Sequence, residues 1–203
     1  MQVQAATRTV DFSGDVVGQP PKGFEFFHTK KIGVPGKWMI ETDGTEKYLT
    51  QLEADRTSIR FLIAALTDVS AADVDLSVRF KPVAGRIDRA AGLVWRFQNE
   101  DNYYLVRANA LENNVVLYKV EGGNRVDLPV KGEGRTYGKR AEVPAGKWST
   151  LRVVARGALF EVHLNSVKLF EVEDKTFSQA GRVGVWTKAD SVTSFADLKV
   201  VTP

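Results

Sequence analysis

The chain has 203 residues, with 28 Lys and Arg against 25 Asp and Glu, a net charge of +3 and no cysteine. Disulfides, thiolate zinc sites and a cysteine nucleophile are thereby excluded. The basic residues are scattered and form no dense stripe that would hold a phosphate backbone, which argues against nucleic acid as a partner. No apolar run approaches the ~20 residues that span a bilayer.

A chain of this length, 43% of it hydrophobic, suits one domain over 1–203 with a sizeable core. Its start, Met1-Gln2-Val3-Gln4-Ala5-Ala6, has neither the positive nor the apolar segment of a signal peptide. The small-residue run Ala5-Ala6-Thr7 reads as the vicinity of a processed end behind an added Met1, favouring a periplasmic or secreted protein over a cytoplasmic one.

In the first 70 residues the pattern is irregular. Gly33-Val34-Pro35-Gly36 leads into a predicted strand over Lys37 to Thr42. Thr57 to Leu66 is short and apolar and reads as another, with one or two helical turns over Ile59 to Leu66 as the alternative. From there period-two alternation takes over. Val74, Leu76, Val78 and Phe80 alternate with Asp75, Ser77, Arg79 and Lys81 in a half-buried strand ended by Pro82. Gly92 to Phe97 is closed by the polar turn Gln98 to Asn102, and Tyr103 to Ala110 follows. Asn113-Asn114 opens Val115 to Glu121, and Gly122-Gly123-Asn124 tolerates the positive φ of a turn. Beyond a Gly- and charge-rich stretch from Lys131 to Arg140, Trp148 precedes a meander of Leu151–Arg156, Leu159–Leu164 and Lys168–Glu173. Gly181 to Lys188 and Phe195 to Val201 finish the chain. About a dozen short strands without long helical periods predict an all-β sandwich of antiparallel sheets.

Several segments carry a family resemblance: Ala91-Gly92-Leu93-Val94-Trp95-Arg96-Phe97, Asp101 to Arg107, Trp148 to Val153, Gly181 to Ser191, and Phe195-Ala196-Asp197-Leu198. Gly36-Lys37-Trp38 and Val74 to Pro82 extend it toward the amino end. Together they resemble bacterial concanavalin A-like domains related to the laminin-G-like and family-16 glycoside hydrolase folds, and above all the group of 3-keto-disaccharide hydrolase domains. The resemblance implies a jelly-roll β-sandwich of two antiparallel sheets, one concave, with ligand across the concave face. Family-16 enzymes carry a Glu-x-Asp-x-x-Glu strand. Here the nearest segment is Glu171-Val172-Glu173-Asp174, which supplies two carboxylates on one side where the family-16 strand supplies three.

Glu171 and Glu173 on a strand would project together, as an acid/base pair requires, or form an ordinary solvated face. His28 and His163 are too far apart in sequence for metal-ligand spacing; His163 reads as a surface residue and His28 as the edge of a loop pocket. No cofactor is expected beyond a structural calcium, for which Asp11 and Asp197 are the candidates. A saccharide site needs aromatic rings for C–H faces and planar donors and acceptors for hydroxyls. Arg96, Tyr103, Arg107, Asn109, Trp186, Lys188 and Asp190 supply both on strands that the resemblance makes neighbours, and Arg79 could join them. Parity places Tyr103 with Arg107 and Asn109, and Trp186 with Lys188 and Asp190. The same alternation can turn Trp95 into the core.

The leading expectation is therefore a carbohydrate-interacting domain with a saccharide on the concave sheet face. In the alternative, a glycoside hydrolase or lyase acting on a di- or oligosaccharide, Asp190 or the Glu171/Glu173 pair is acid or base, and Arg107 or Lys188 stabilises negative charge. A third reading is a laminin-G-like protein-interaction module without a small-molecule site.

Overall fold

The computed structural model describes residues 6–203, so Met1 and Ala5 of the processed-end reading lie outside the described residues. Apart from a 3-10 turn at Thr29–Lys31, their regular structure is β. In chain order the strands are β1 (Ala6–Val10), β2 (Phe24–His28), β3 (Trp38–Thr42), β4 (Lys47–Gln51), β5 (Phe61–Leu66), β6 (Val74–Ala84), β7 (Ala90–Asn99) and β8 (Asn102–Asn109). They continue with β9 (Asn114–Glu121), β10 (Asn124–Asp127), β11 (Lys139–Arg140), β12 (Ser149–Arg156), β13 (Leu159–Leu164), β14 (Val167–Glu173), β15 (Arg182–Lys188) and β16 (Val192–Thr202).

Two eight-stranded antiparallel sheets form a jelly-roll sandwich. The first runs β14-β13-β12-β6-β16-β4-β3, with β1 laid along the carboxyl half of β16. The second runs β10-β9-β8-β7-β15-β5-β2, with β11 on the start of β9. Alternate residues of both sheets meet between them. Leu76, Val78, Phe80, Leu151, Val153, Phe160 and Phe195 from the first sheet pack against Leu62, Leu93, Trp95, Tyr104, Val106 and Leu117 from the second. Trp95 is thus a core residue.

Segment Phe61–Leu66 is a strand, not a helical turn. Each of its residues is buried, because Leu62, Ala64 and Leu66 face the core while Phe61, Ile63 and Ala65 face a second apolar cluster. Strand β6 does not stop at Pro82 but runs on to Ala84. Pairing with β12 ends at Phe80, so Pro82 faces a neighbour on one side only, Thr193 of β16, where its missing N–H is tolerated. Strands β1, β2, β4, β10 and β11 were not apparent from alternation; each has five residues or fewer, and all but β4 pair with a neighbour on one side only.

Two bulges re-aim side chains. In β7 the register slips between Trp95 and Asn99, with Arg96 at φ 47°. In β16 it slips between Ala196 and Lys199, with Asp197 at φ 49°. Each inserted residue leaves the alternation of its strand.

Candidate functional site

The outer face of the second sheet holds most of the residues singled out from the sequence. Tyr103, Leu105 and Arg107 project there from β8, Tyr118 from β9 and Trp186 from β15, as strand parity requires. Register aligns Arg107, Gly92 and Trp186 in one row across β8, β7 and β15, and Asn109 stands opposite Ala90.

At one end of this face lies a continuous polar network. Arg107, wholly buried, donates from Nη2 to Glu112 Oε2 (2.8 Å) and Asn114 Oδ1 (2.7 Å), and from Nη1 to Glu112 Oε1 (3.3 Å). Asn109 Nδ2 donates to Glu112 Oε1 (3.0 Å) and to Asp88 Oδ1 (2.5 Å). Lys188 closes the chain by pairing with Asp88 Oδ2. Burial alone would raise the Glu112 carboxyl, but the charge and hydrogen bonds of Arg107, with that of Asn114, outweigh it and hold the group below its ordinary value. Glu112 is the outward member, its side chain 38% exposed, whereas that of Asp88 is only 2% exposed.

Below the network the floor is aromatic. Tyr103, Tyr118, Trp186 and Phe61 are buried, so their ring faces are not open for stacking as the sequence had suggested for Tyr103 and Trp186. The Arg125 guanidinium roofs them, 4.4 Å from the Tyr118 ring, 4.9 Å from Phe61 and 5.9 Å from Trp186. The Thr29–Lys31 turn seals the far side, with Thr29 Oγ1 at 2.9 Å from Tyr103 Oη. Burial pushes the Tyr103 and Tyr118 phenols well up, so both stay neutral hydrogen-bonding groups.

One aromatic ring beside the network is open. Tyr137 is 44% exposed, accepts a hydrogen bond from Tyr118 Oη at 2.8 Å, and lies 5.8 Å from the Arg107 guanidinium. Its φ of 56° is left-handed, a conformation costing a non-glycine residue about 1–2 kcal/mol. Gly138 next to it anchors the loop: at φ 69° it lies so close to β9 that a Cβ would come 2.1 Å from Val115 O. Ile87 and Leu111, 47% and 45% exposed, flank Asp88 and Glu112 in sequence and add apolar surface to the rim.

The remaining predicted residues lie elsewhere. Arg96, turned inward by its bulge, is 2% exposed and donates to the carbonyls of Ala72 (2.7 Å), Phe177 (2.6 Å) and Gly157 (2.6 Å), a clamp between loops. Asp190 lies beyond the end of β15, after Ala189 at φ 50°, and accepts the backbone N–H groups of Arg86, Ile87 and Asp88 (2.7–3.2 Å). It therefore sits under the network and positions Asp88. Glu171 and Glu173 are on β14, the edge of the other sheet, paired with Lys168 and Lys131. Asp11 caps its own turn through Ser13, and Asp197 pairs with Arg79 at 2.7 Å on the first sheet. Among the described residues no three or more His, Cys, Asp or Glu side chains gather as a metal site. Arg79 belongs to a separate corner with Trp148, Lys81 and Tyr48.

Asp88, Glu112, Asn114, Tyr118, Arg125 and Tyr137 escaped the sequence reading. Asn113-Asn114 read as a plain opening to the next strand, and Tyr137 was hidden in a Gly- and charge-rich stretch.

No family model matches the sequence, and no curated protein matches it. Solved structures do. The carbohydrate binding module CBM66 from Bacillus subtilis superposes with a TM-score of 0.64 at 20% identity, covering 87% of this chain and 94% of that one. Domain 4 of AbnA, an extracellular GH43 arabinanase from Geobacillus stearothermophilus solved with arabinotriose, gives 0.58 at 15% identity, with 95% and 90% covered. A Bacillus subtilis protein of unknown function with a galectin-like fold gives 0.56 at 10% identity, with 87% and 88% covered. The likeness is one of fold. The chain shares the jelly-roll sandwich of these structures, and none of the helices of the described residues is long and apolar enough to cross a membrane.

Proposed function

We propose that the protein is a carbohydrate-binding module whose saccharide lies against Tyr137, over the Arg107–Glu112–Asn114 end of the outer face of the second sheet. The observation that carries the reading is the exposed, left-handed Tyr137 ring standing next to a network of planar donors and acceptors. The ring offers a face to sugar C–H groups, while Glu112, Asn114 and Lys188 offer acceptors and donors to hydroxyls. Strain kept at an exposed aromatic needs a reason, and ligand stacking supplies one. Neighbours described as a carbohydrate binding module and as an arabinanase domain in complex with arabinotriose support the class of ligand. The whole of 1–203 is read as one such domain, acting in the periplasm or outside the cell.

One observation favours an enzyme instead. Asp88 Oδ1 and Glu112 Oε1 lie 2.5 and 3.0 Å from the same nitrogen of Asn109, so they are at most 5.5 Å apart, close to the ~5–5.5 Å of a retaining glycosidase pair. Such a pair needs one carboxyl to donate a proton. Glu112 is held ionised by Arg107, and both oxygens of Asp88 are engaged by Asn109 and Lys188, so binding is the better reading. Affinity electrophoresis and calorimetry on a polysaccharide panel, with product release followed in parallel, test this. Retention weakened by Tyr137→Ala supports the module; product release abolished by Glu112→Gln would replace it with the hydrolase.

A further inference from the structure

Among the described residues five arginines place their guanidinium over an aromatic ring, and four of them also have an acceptor. Arg79 over Trp148 is held by Glu46 and Asp197, Arg107 over Tyr118 by Glu112, Arg182 over Phe27 by Glu25, and Arg96 over Phe160 by three carbonyls. Arg125 is the exception. Among the described residues no carboxylate pairs with it, and its Nη1 is buried without any hydrogen-bond partner. The acid two residues along the strand, Asp127, is taken by Arg135 at 2.9 and 2.6 Å. A half-buried guanidinium with unused donors demands an explanation.

Its position suggests one. Arg125 and Arg107 both lie against Tyr118, at 4.4 and 5.6 Å, and Tyr118 in turn bonds the exposed Tyr137. The unused donors are therefore contiguous with the saccharide site. Arg107 and Lys188 have Glu112 and Asp88 as counter-charges, whereas Arg125 has none among the described residues. Stacking on Phe61, Tyr118 and Trp186 fixes the plane of the guanidinium, which pre-organises it for a planar, two-oxygen partner.

We propose that Arg125 is an anion subsite of the saccharide site, and that the preferred ligand is an acidic glycan whose carboxylate accepts a forked pair of hydrogen bonds from it. This rests on the saccharide reading above and narrows it from sugars in general to uronate-containing ones. No covalent step is involved. The carboxylate satisfies donors of a cation that is already oriented, so the cost of ordering the side chain has been met by the stack.

The test uses matched ligands. Polygalacturonate, alginate and glucuronoxylan are each compared by calorimetry with the same polymer after its carboxyls have been reduced to hydroxymethyl groups, alongside sulfated galactans. The expected result is binding of at least one uronate polymer about 10- to 100-fold tighter than its reduced form. Arg125→Ala should erase that preference, and Arg125→Lys should restore only part of it, because an ammonium keeps the charge and loses the fork. Thermal melts confirm that the variants are folded, and added salt should weaken the acidic ligand selectively. Tight binding of sulfated galactans, lost in Arg125→Ala, supports the anion subsite and identifies a sulfate ester as its ligand. Equal binding of native and reduced polymers, insensitive to Arg125→Ala but lost in Tyr137→Ala, overturns the subsite and leaves the saccharide module standing. Binding of no glycan at all overturns both.

Discussion

Arg96 of β7 holds the backbone carbonyls of three separate loops through its buried guanidinium. Replacing it with Met keeps much of its apolar stem and removes three charge-assisted hydrogen bonds of 2.6–2.7 Å to Ala72, Phe177 and Gly157. Hydrogen bonds to a charged group contribute about 1.5–3 kcal/mol each. The three accepting carbonyls belong to half-buried or exposed residues, so water can take over part of the loss. A net destabilisation of about 3 kcal/mol follows, which for a chain of this size lowers Tm by about 6–12 °C. Urea unfolding followed by tryptophan fluorescence measures it, and saccharide affinity is measured below the transition. A loss under about 1 kcal/mol would refute the clamp. So would saccharide binding abolished in a variant of unchanged stability, since that places Arg96 in the site.

Asp190 should behave as a pH-dependent brace. Burial would raise its carboxyl, but the backbone N–H groups of Arg86, Asp88 and Ile87 outweigh that and lower it, so its contribution is full above the unfolded value near about 3.9 and fades as pH falls through the lower folded one. Asp190→Asn should cost about 2 kcal/mol at pH 7, with the gap to the parent narrowing below about pH 4; a gap constant from pH 7 to 3 would contradict this. Gly138→Ala must fit a Cβ 2.1 Å from Val115 O at positive φ, and should cost about 2–3 kcal/mol in urea while weakening saccharide binding through the displaced Tyr137. Glu171→Gln with Glu173→Gln, on the far sheet, should leave saccharide retention unchanged in affinity electrophoresis; a loss there would move the site to β14.

Strand parity was the legible part of the site. A period of two residues ties Tyr103 to Arg107 and Trp186 to Lys188 whatever the tertiary fold, and those pairs do share the outer face of the second sheet. What alternation does not reveal is whether a face is open. Phe61, Ile63 and Ala65 give β5 a second apolar side, and Arg125 comes from a four-residue strand to cover it. Bulges were equally silent, because Trp95-Arg96-Phe97 reads as plain alternation until the slipped register turns Arg96 inward. Asp88, Glu112 and Tyr137 come from loops, and Asp88 meets Asn109 across 21 residues and Tyr137 meets Tyr118 across 19, beyond the reach of local pattern. Asp190 joined its candidates by parity with Trp186, and Ala189 at positive φ breaks that parity.

The most direct test of the central claim is the affinity of the folded protein for saccharide, compared with that of Tyr137→Ala on the glycan panel. Loss of the one open ring should weaken retention about 10-fold or more with little change in Tm, as expected for an exposed residue that anchors a ligand. Retention unchanged in Tyr137→Ala, in a protein that still binds saccharide, would contradict the account and place the sugar elsewhere on the sandwich.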